Sequence, residues 1–487
     1  MVIPSLKLTV ALALCLALVQ PPMARGANAA AGDADAAAGA ISLMPKVDER
    51  VELLSIVFHL AGNPEYNMSH LDAYTGDIDR YFAPYKEHPA VKMATKLRES
   101  NGVSFDAVMA MAVYLSPPPA LEPLVSFSDE TPESRWGKDN ATRFAALLRG
   151  FYQDSNFHAF FTAHQALYSL AESRFADELR NLDLGWYQRF YGEAPKSRFN
   201  VILGLNNGGG NYGPHVVFPD GREEIYAIIG AWTKDSEGRP TYPPDKGYLA
   251  TIIHEFNHSF VNAAVDEHWG DFGSAQRVFE PVAAQMQRMA YGDGHTMVNE
   301  SLVRAAVILY FESHGSTPAQ VSDRIAGEEN NGFVWMDDLC DLLRKYESDR
   351  GRYPTFASFI REVGRFYDSL PAKLPPLMAA YEQRCPHVIG MKPFANHAQD
   401  VDPTVKQLTV EFDKPLRTTQ YGINLGDGGQ DHYPVSAAPQ FVEGGKAIVL
   451  PLALKPGWSY SFVLAGFAFT STDGYPLSDY EVSFQTK

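Results

Sequence analysis

The residues best suited to chemistry gather in one short segment, His254-Glu255-Phe256-Asn257-His258. On a helix, residues four apart share a face, so His254 and His258 can aim two imidazoles at one metal ion. Glu255, one position further round, can then reach a water on that ion. Zinc is the metal such ligands favour; it acidifies a water and polarises a carbonyl, while a neighbouring carboxylate takes the proton and passes it to the leaving amine. The bland alternative is two surface histidines on a helix. Against it, Leu249, Ile252, Ile253, Phe256 and Phe260 recur at helical spacing, which places the motif inside a helix with a strong apolar side.

A catalytic zinc of this kind takes three protein ligands and keeps one position open. The short-spaced pattern HExxHxxGxxH is excluded, because Val261 stands at its glycine and Ala264 at its last histidine. His268 lies about two further helical turns beyond His258 and approaches the same ion poorly. Glu300, in Met297-Val298-Asn299-Glu300-Ser301-Leu302-Val303-Arg304, is the better candidate, since Met297, Val303 and Val307 share its helical face. A carboxylate among apolar side chains is costly unless it binds a metal or is paired, and Arg304 at i+4 is the competing partner. The expectation is one Zn2+ per chain. His295 and Tyr310, near Glu300 in sequence, are the candidates for stabilising an oxyanion.

These residues need elements to position them. From Asp48 the pattern is helical, with Val51, Leu54 and Phe58 on one face, and Ser104 is placed to cap a helix carrying Val108, Met111 and Leu115. Helical spacing continues from Phe144 to Phe190. Strands follow: Phe199 to Leu205 alternates, Gly208-Gly209-Gly210 reads as a turn, and Val216 to Phe218 is joined through Pro219-Asp220-Gly221 to Ile225 to Trp232. This pattern predicts a small antiparallel meander. The glycines lack a following Lys-Ser or Lys-Thr, which excludes a phosphate-binding loop. Segment 207–218 is also a candidate edge for pairing with an extended substrate, beside its plain reading as loop and core strand.

Helical spacing returns from Tyr248 to Tyr381, with breaks near Gly292-Asp293-Gly294 and Arg350 to Pro354. From about Met391, short runs such as Leu408 to Phe412, Ala447 to Leu450 and Tyr460 to Leu464 alternate with Gly, Pro and Asp turns, as in a β-sandwich. The fold class expected is therefore α+β: a mainly helical domain with a small sheet at 44–388, then a β-sandwich at 389–487. Ahead of both, 1–26 reads as an export signal, with Lys7, the apolar run Leu8 to Val19 and small residues for cleavage, and 27–43 as an Ala-rich leader. A periplasmic or extracellular location follows from that signal, and no later segment is apolar enough to span a bilayer.

The chain carries 58 acidic against 41 basic side chains, a formal charge of −17. Nucleic acid is thereby disfavoured as a partner, because neutralising phosphates needs a basic face. Outside the export signal only Cys340 and Cys385 remain, which either form one disulfide or stand as two core thiols. No CxxC pair offers a thiolate zinc site.

With those residues in view, HEFNHSF followed by NESLVRA resembles the gluzincins, in which HExxH is completed by a glutamate from a later helix. Together with DERVELLSIVFHLAGNPEYN (Asp48 to Asn67) and HEFNHSFVN, the chain is similar to the bacterial family DUF4932 over most of residues 44–385. This resemblance implies a peptidase-like zinc site made by His254, His258 and Glu300, with Glu255 as base. The stretch Val401-Asp402-Pro403, Val410 to Pro415 and Gly474-Tyr475-Pro476-Leu477 resembles bacterial Ig-like domains of the surface-layer type. A spacer, or a contact with a cell-surface polymer, is what that implies. Three functions stay open at this point: a secreted zinc metallopeptidase acting on peptides or proteins, an inactive zincin-fold binding protein, and a zinc amidase acting on cell-wall amides. Intact Glu255 favours catalysis, because a binding protein has no chemical need of a base.

Overall fold

A computed structural model describes residues 43–487. The export segment 1–26, with Cys15, and all of the leader but Leu43 lie outside the described residues. Mixed helix and strand is the class observed, as expected. By its contacts the chain forms two compact units, one running to Glu267 with Arg350–Ser358 added, the other comprising His268–Asp349 and Phe359–Lys487.

The first unit is built around α1 (Glu49–Leu60), which Asp48 caps by accepting from the Arg50 amide at 3.0 Å. Val51, Leu54 and Phe58 are fully buried, and so are most of the residues between them, so α1 is a central helix rather than a half-exposed one. Helices α2 (Asp72–Phe82), α3 (Pro89–Asn101), α4 (Asp106–Tyr114), α5 (Lys138–Asp154), α6 (Phe157–Ala163), α7 (Gln165–Leu179) and α8 (Leu184–Tyr191) accompany it. Their aromatic rings form much of the packing, as when Phe58, Trp136 and Phe144 meet at 4.9–6.2 Å. Ser104 does not cap α4; its hydroxyl donates to the Gly102 carbonyl, and the helix starts two residues later, after Phe105.

The sheet differs from the meander expected. Its order is β1 (Lys46–Val47), β2 (Arg198–Gly204), β4 (Glu223–Gly230), β3 (His215–Val217). β1 with β2 and β2 with β4 are parallel, and only the β3–β4 hairpin is antiparallel. The glycine cluster explains the correction. Instead of turning β2 back on itself, it carries the chain across the end of β4, so close that a Cβ on Gly230 would lie 2.4 Å from the Gly208 carbonyl oxygen. β3 then returns on the far side of β4 as an edge strand. A short hairpin, β5 (Thr233–Lys234) and β6 (Pro240–Thr241), leads to α9 (Tyr248–Glu267).

The second unit holds α10 (Ala275–Phe279), α11 (Ala283–Arg288), α12 (Gly294–Ser313), α13 (Pro318–Asn330), α14 (Met336–Ser348) and most of α15 (Phe356–Arg384). It also holds the sandwich, whose two sheets are ordered β10 (Gln440–Val442), β11 (Ala447–Pro451), β8 (Gln407–Phe412), β7 (Val388–Lys392), and β13 (Tyr480–Gln485), β12 (Ser459–Leu464), β9 (Ile423–Leu425). Alternate residues of β8 and β12 point inward, and Leu408, Val410, Phe412, Ile448, Leu450, Phe462 and Phe484 form its own core. The change of texture near residue 388 is therefore visible, yet the compact units do not divide there. Tyr475 of the sandwich donates to Glu329 of α13 at 2.6 Å, and Arg384 meets the same carboxylate at 2.8 Å. Cys340 and Cys385 are two free, buried thiols. Among the described residues no helix is long and apolar enough to cross a membrane.

One buried acid ties α1 to the sheet. Glu52 is fully buried and accepts from the Tyr74 hydroxyl at 2.6 Å and from the Leu205 amide, just past β2, at 2.7 Å. Burial outweighs those donors and pushes its carboxyl up to about 7. A carboxyl whose folded pKa is raised favours the fold below the unfolded pKa and loses that contribution as pH rises through the folded value. In thermal unfolding from pH 4.5 to 8, Glu52→Gln should therefore gain on the wild type as pH rises. A difference between the two that stays constant with pH would remove this assignment.

Candidate metal centre

Helix α9 carries His254, Glu255 and His258, and its other side is fastened by aromatic contacts. Phe256 stacks on Phe199 of β2 with centroids 4.1 Å apart, Phe260 on Tyr191 of α8 at 4.2 Å, and Tyr248 on Trp232 at 3.8 Å. Asn257, fully buried, accepts from the Tyr191 hydroxyl at 2.9 Å. Rotation of α9 about its axis would break all four. The face left half-buried is the one bearing His254, Glu255 and His258.

On that face Nε2 of His254 and Nε2 of His258 stand 3.2 Å apart. His258 Nδ1 lies 3.1 Å from Oδ1 of Asn262, one further turn along α9, so a proton on Nδ1 is held there and Nε2 keeps its lone pair. Two imidazole nitrogens on one tetrahedral zinc, each bonded at about 2.0–2.1 Å, stand about 3.3 Å apart. The spacing fits that geometry. A hydrogen bond between the rings would also fit, so the case for a metal needs the third donor.

Glu300 lies on α12, whose start is fixed by Asp293 accepting from the Thr296 amide at 2.8 Å. It is buried, and its Oε2 accepts from the Tyr291 hydroxyl at 2.7 Å. Arg304 Nε is 3.4 Å from the same oxygen, so the ion pair weighed from sequence is present. One ligand atom from each of His254, His258 and Glu300 also lies within 4.8 Å of the others, the grouping among the described residues suited to a metal. Pairing and ligation thus do not exclude each other. Two neutral imidazoles and one carboxylate make a hard-to-borderline set of the kind zinc accepts.

Glu255 has an unusual neighbour. A Cβ on Gly213, just ahead of β3, would lie 1.9 Å from Glu255 Oε2. Only a residue without a side chain lets the backbone pass so near the carboxylate. The edge strand and the candidate base are thereby brought side by side.

The remaining sequence candidates have neighbours of their own. Tyr310 is buried and stacks on His314 at 4.1 Å; ten residues beyond Glu300 on α12, it is displaced by about 15 Å along the axis. His295 packs edge-on against Trp269 at 4.5 Å and sits about 140° round the helix from Glu300. His268 is at 3.6 Å from Asp271, off the end of α9. Sequence reading missed Asn262, Gly213 and Tyr291. Asn262 had a signal, its i+4 spacing from His258, whereas nothing local marks Gly213 or Tyr291.

Residues 43–365 match the family described as Domain of unknown function (DUF4932). No curated protein matches the chain. Among solved structures, CopC from Methylosinus trichosporium OB3b is 14% identical, over 21% of this chain and 93% of that one, with a TM-score of 0.18. The surface-layer protein SbsC, domains 1–6, is 14% identical over 53% of this chain and 35% of that one, TM-score 0.18. A longer stretch of SbsC is 12% identical over 81% and 46%, again with a TM-score of 0.18. The chain spans less than half the length of both surface-layer chains, and TM-scores this low carry no argument about fold or function. The family match covers well over half of the sequence: the chain belongs to the DUF4932 family.

Proposed function

We propose that this protein is a secreted, zinc-dependent metallopeptidase of gluzincin type, with His254, His258 and Glu300 as the metal ligands and Glu255 as the general base. The observation that carries the reading is the convergence of two Nε2 atoms 3.2 Å apart with a buried glutamate whose ligand atom falls in the same group. When bound, zinc supplies Lewis acidity toward a carbonyl and toward water. Glu255 takes a proton from the attacking water and delivers it to the leaving amine, work its position on the same helical face as the histidines suits. Asn262 holds the tautomer of His258 that leaves Nε2 as donor.

Gly213 supports a peptide as substrate. It puts the start of edge strand β3 against Glu255, so an extended backbone pairing with that edge would run past the base. A binding protein that had lost catalysis would have no use for so close an approach to an acid. Export is proposed on the residues of 1–26, and the sandwich is proposed as a spacer or a contact for cell-surface polymer.

Three variants test this reading once a substrate is found by screening peptide libraries and cell-wall fragments with and without a chelator. Glu255→Gln should keep zinc and thermal stability while losing on the order of a hundredfold or more in turnover, whereas His258→Ala should lose both metal and activity. Wild-type turnover by Glu255→Gln would refute the base. Gly213→Ala puts a methyl where Glu255 Oε2 stands, so strand or carboxylate must shift; turnover should fall about tenfold or more with zinc retained. Unchanged kinetics in that variant would separate the edge strand from the reaction.

A further inference from the structure

Glu300 does not stand alone in the second unit. Arg304 donates through one terminal nitrogen to Glu328 of α13 at 2.8 Å and through the other to the Tyr291 hydroxyl at 2.7 Å. That hydroxyl in turn donates to Glu300 Oε2 at 2.7 Å, and Arg304 Nε, which makes no hydrogen bond, faces the same oxygen at 3.4 Å. Glu328 Oε2 also accepts from the Asn331 amide group at 3.0 Å. The guanidinium lies over Phe333 at 5.4 Å and Tyr291 at 5.8 Å, which shields the group from water.

The cluster divides one guanidinium between two carboxylates: Arg304 is shared by Glu300 and Glu328, and Glu328, half-buried, also feels the charge of Arg324 one turn back on α13. We infer that Tyr291, Arg304 and Glu328 are positioning residues that hold Glu300 by Oε2 and keep its negative charge available to zinc. Glu328 has the decisive part. It takes up the charge of Arg304, which would otherwise be spent wholly on Glu300, one turn back on the same helix. Without Glu328, Arg304 and the metal compete for one carboxylate.

This inference rests on the proposed zinc site, and a matched pair of neighbours on α13 tests it apart from that site. Glu328 faces Arg304, while Glu329, equally part of α13 and 4% exposed, faces Tyr475 and Arg384. Zinc affinity of the full chain, by competition with a chromophoric chelator, and thermal midpoint are measured for wild type, Glu328→Gln, Tyr291→Phe and Glu329→Gln. Glu328→Gln and Tyr291→Phe should each bind zinc about tenfold or more weakly, the loss typical of groups that orient a ligand. Glu329→Gln should lower the midpoint and leave zinc affinity at the wild-type value. Equal zinc affinity in Glu328→Gln and wild type would overturn the inference, as would an equal loss in Glu329→Gln, which would show only general loosening. Absence of zinc binding by the wild type would instead refute the proposed function itself.

Discussion

Two imidazole nitrogens held 3.2 Å apart cannot both carry protons toward each other, and most of what surrounds α9 serves to keep them in that relation. An isolated helix would relieve the crowding by a small rotation or by turning one ring to water. Here the stacks of Phe256 on Phe199 and Phe260 on Tyr191 resist rotation, and Asn262 ties down the far nitrogen of His258. Aromatic burial on one side of a helix thus becomes precise placement on the other. Each ring buries a large apolar area, so the helix is fastened far more strongly than two polar side chains alone could fasten it.

The same economy governs the backbone near the candidate base. A glycine-rich crossover lets β2 and β4 run parallel, brings β3 to the edge, and delivers Gly213 against Glu255. Sheet and base are consequences of one loop. Glu52, buried beneath it and bonded to the Leu205 amide, anchors the point where that loop leaves β2. In the second unit the governing constraint is charge rather than shape. Arg304 is shared between Glu300 and Glu328, and Glu329 next along α13 is spent on the sandwich through Tyr475, so successive residues of one helix serve two different tasks.

What was legible in the sequence follows from range. His254, Glu255 and His258 could be read because helical periodicity is local and their apolar neighbours state which face is buried. Glu300 was found from a carboxylate set among apolar residues, but the same text left its ligand and ion-pair roles open, since choosing needs positions from distant segments. Strand direction differs from the sequence expectation for a related reason: a hairpin signal such as Pro219-Asp220-Gly221 is local and correct for β3–β4, whereas the pairing of β2 with β4 depends on where the link from β2 to β3 travels. Ser104 had the chemistry of a cap but lies one residue too early. The division near residue 388 marks a real change from helix to strand, yet Glu329, Tyr475 and Arg384 join elements far apart in sequence, and no local pattern announces such a contact.

The proposed chemistry depends on where a metal binds. Crystals of the protein grown with zinc, with diffraction recorded on both sides of the zinc absorption edge, would locate the ion directly. One strong anomalous peak per chain is expected, at about 2.0–2.2 Å from Nε2 of His254, Nε2 of His258 and a carboxylate oxygen of Glu300. A protein free of zinc under these conditions, or a peak whose ligands do not include both histidines, would contradict it.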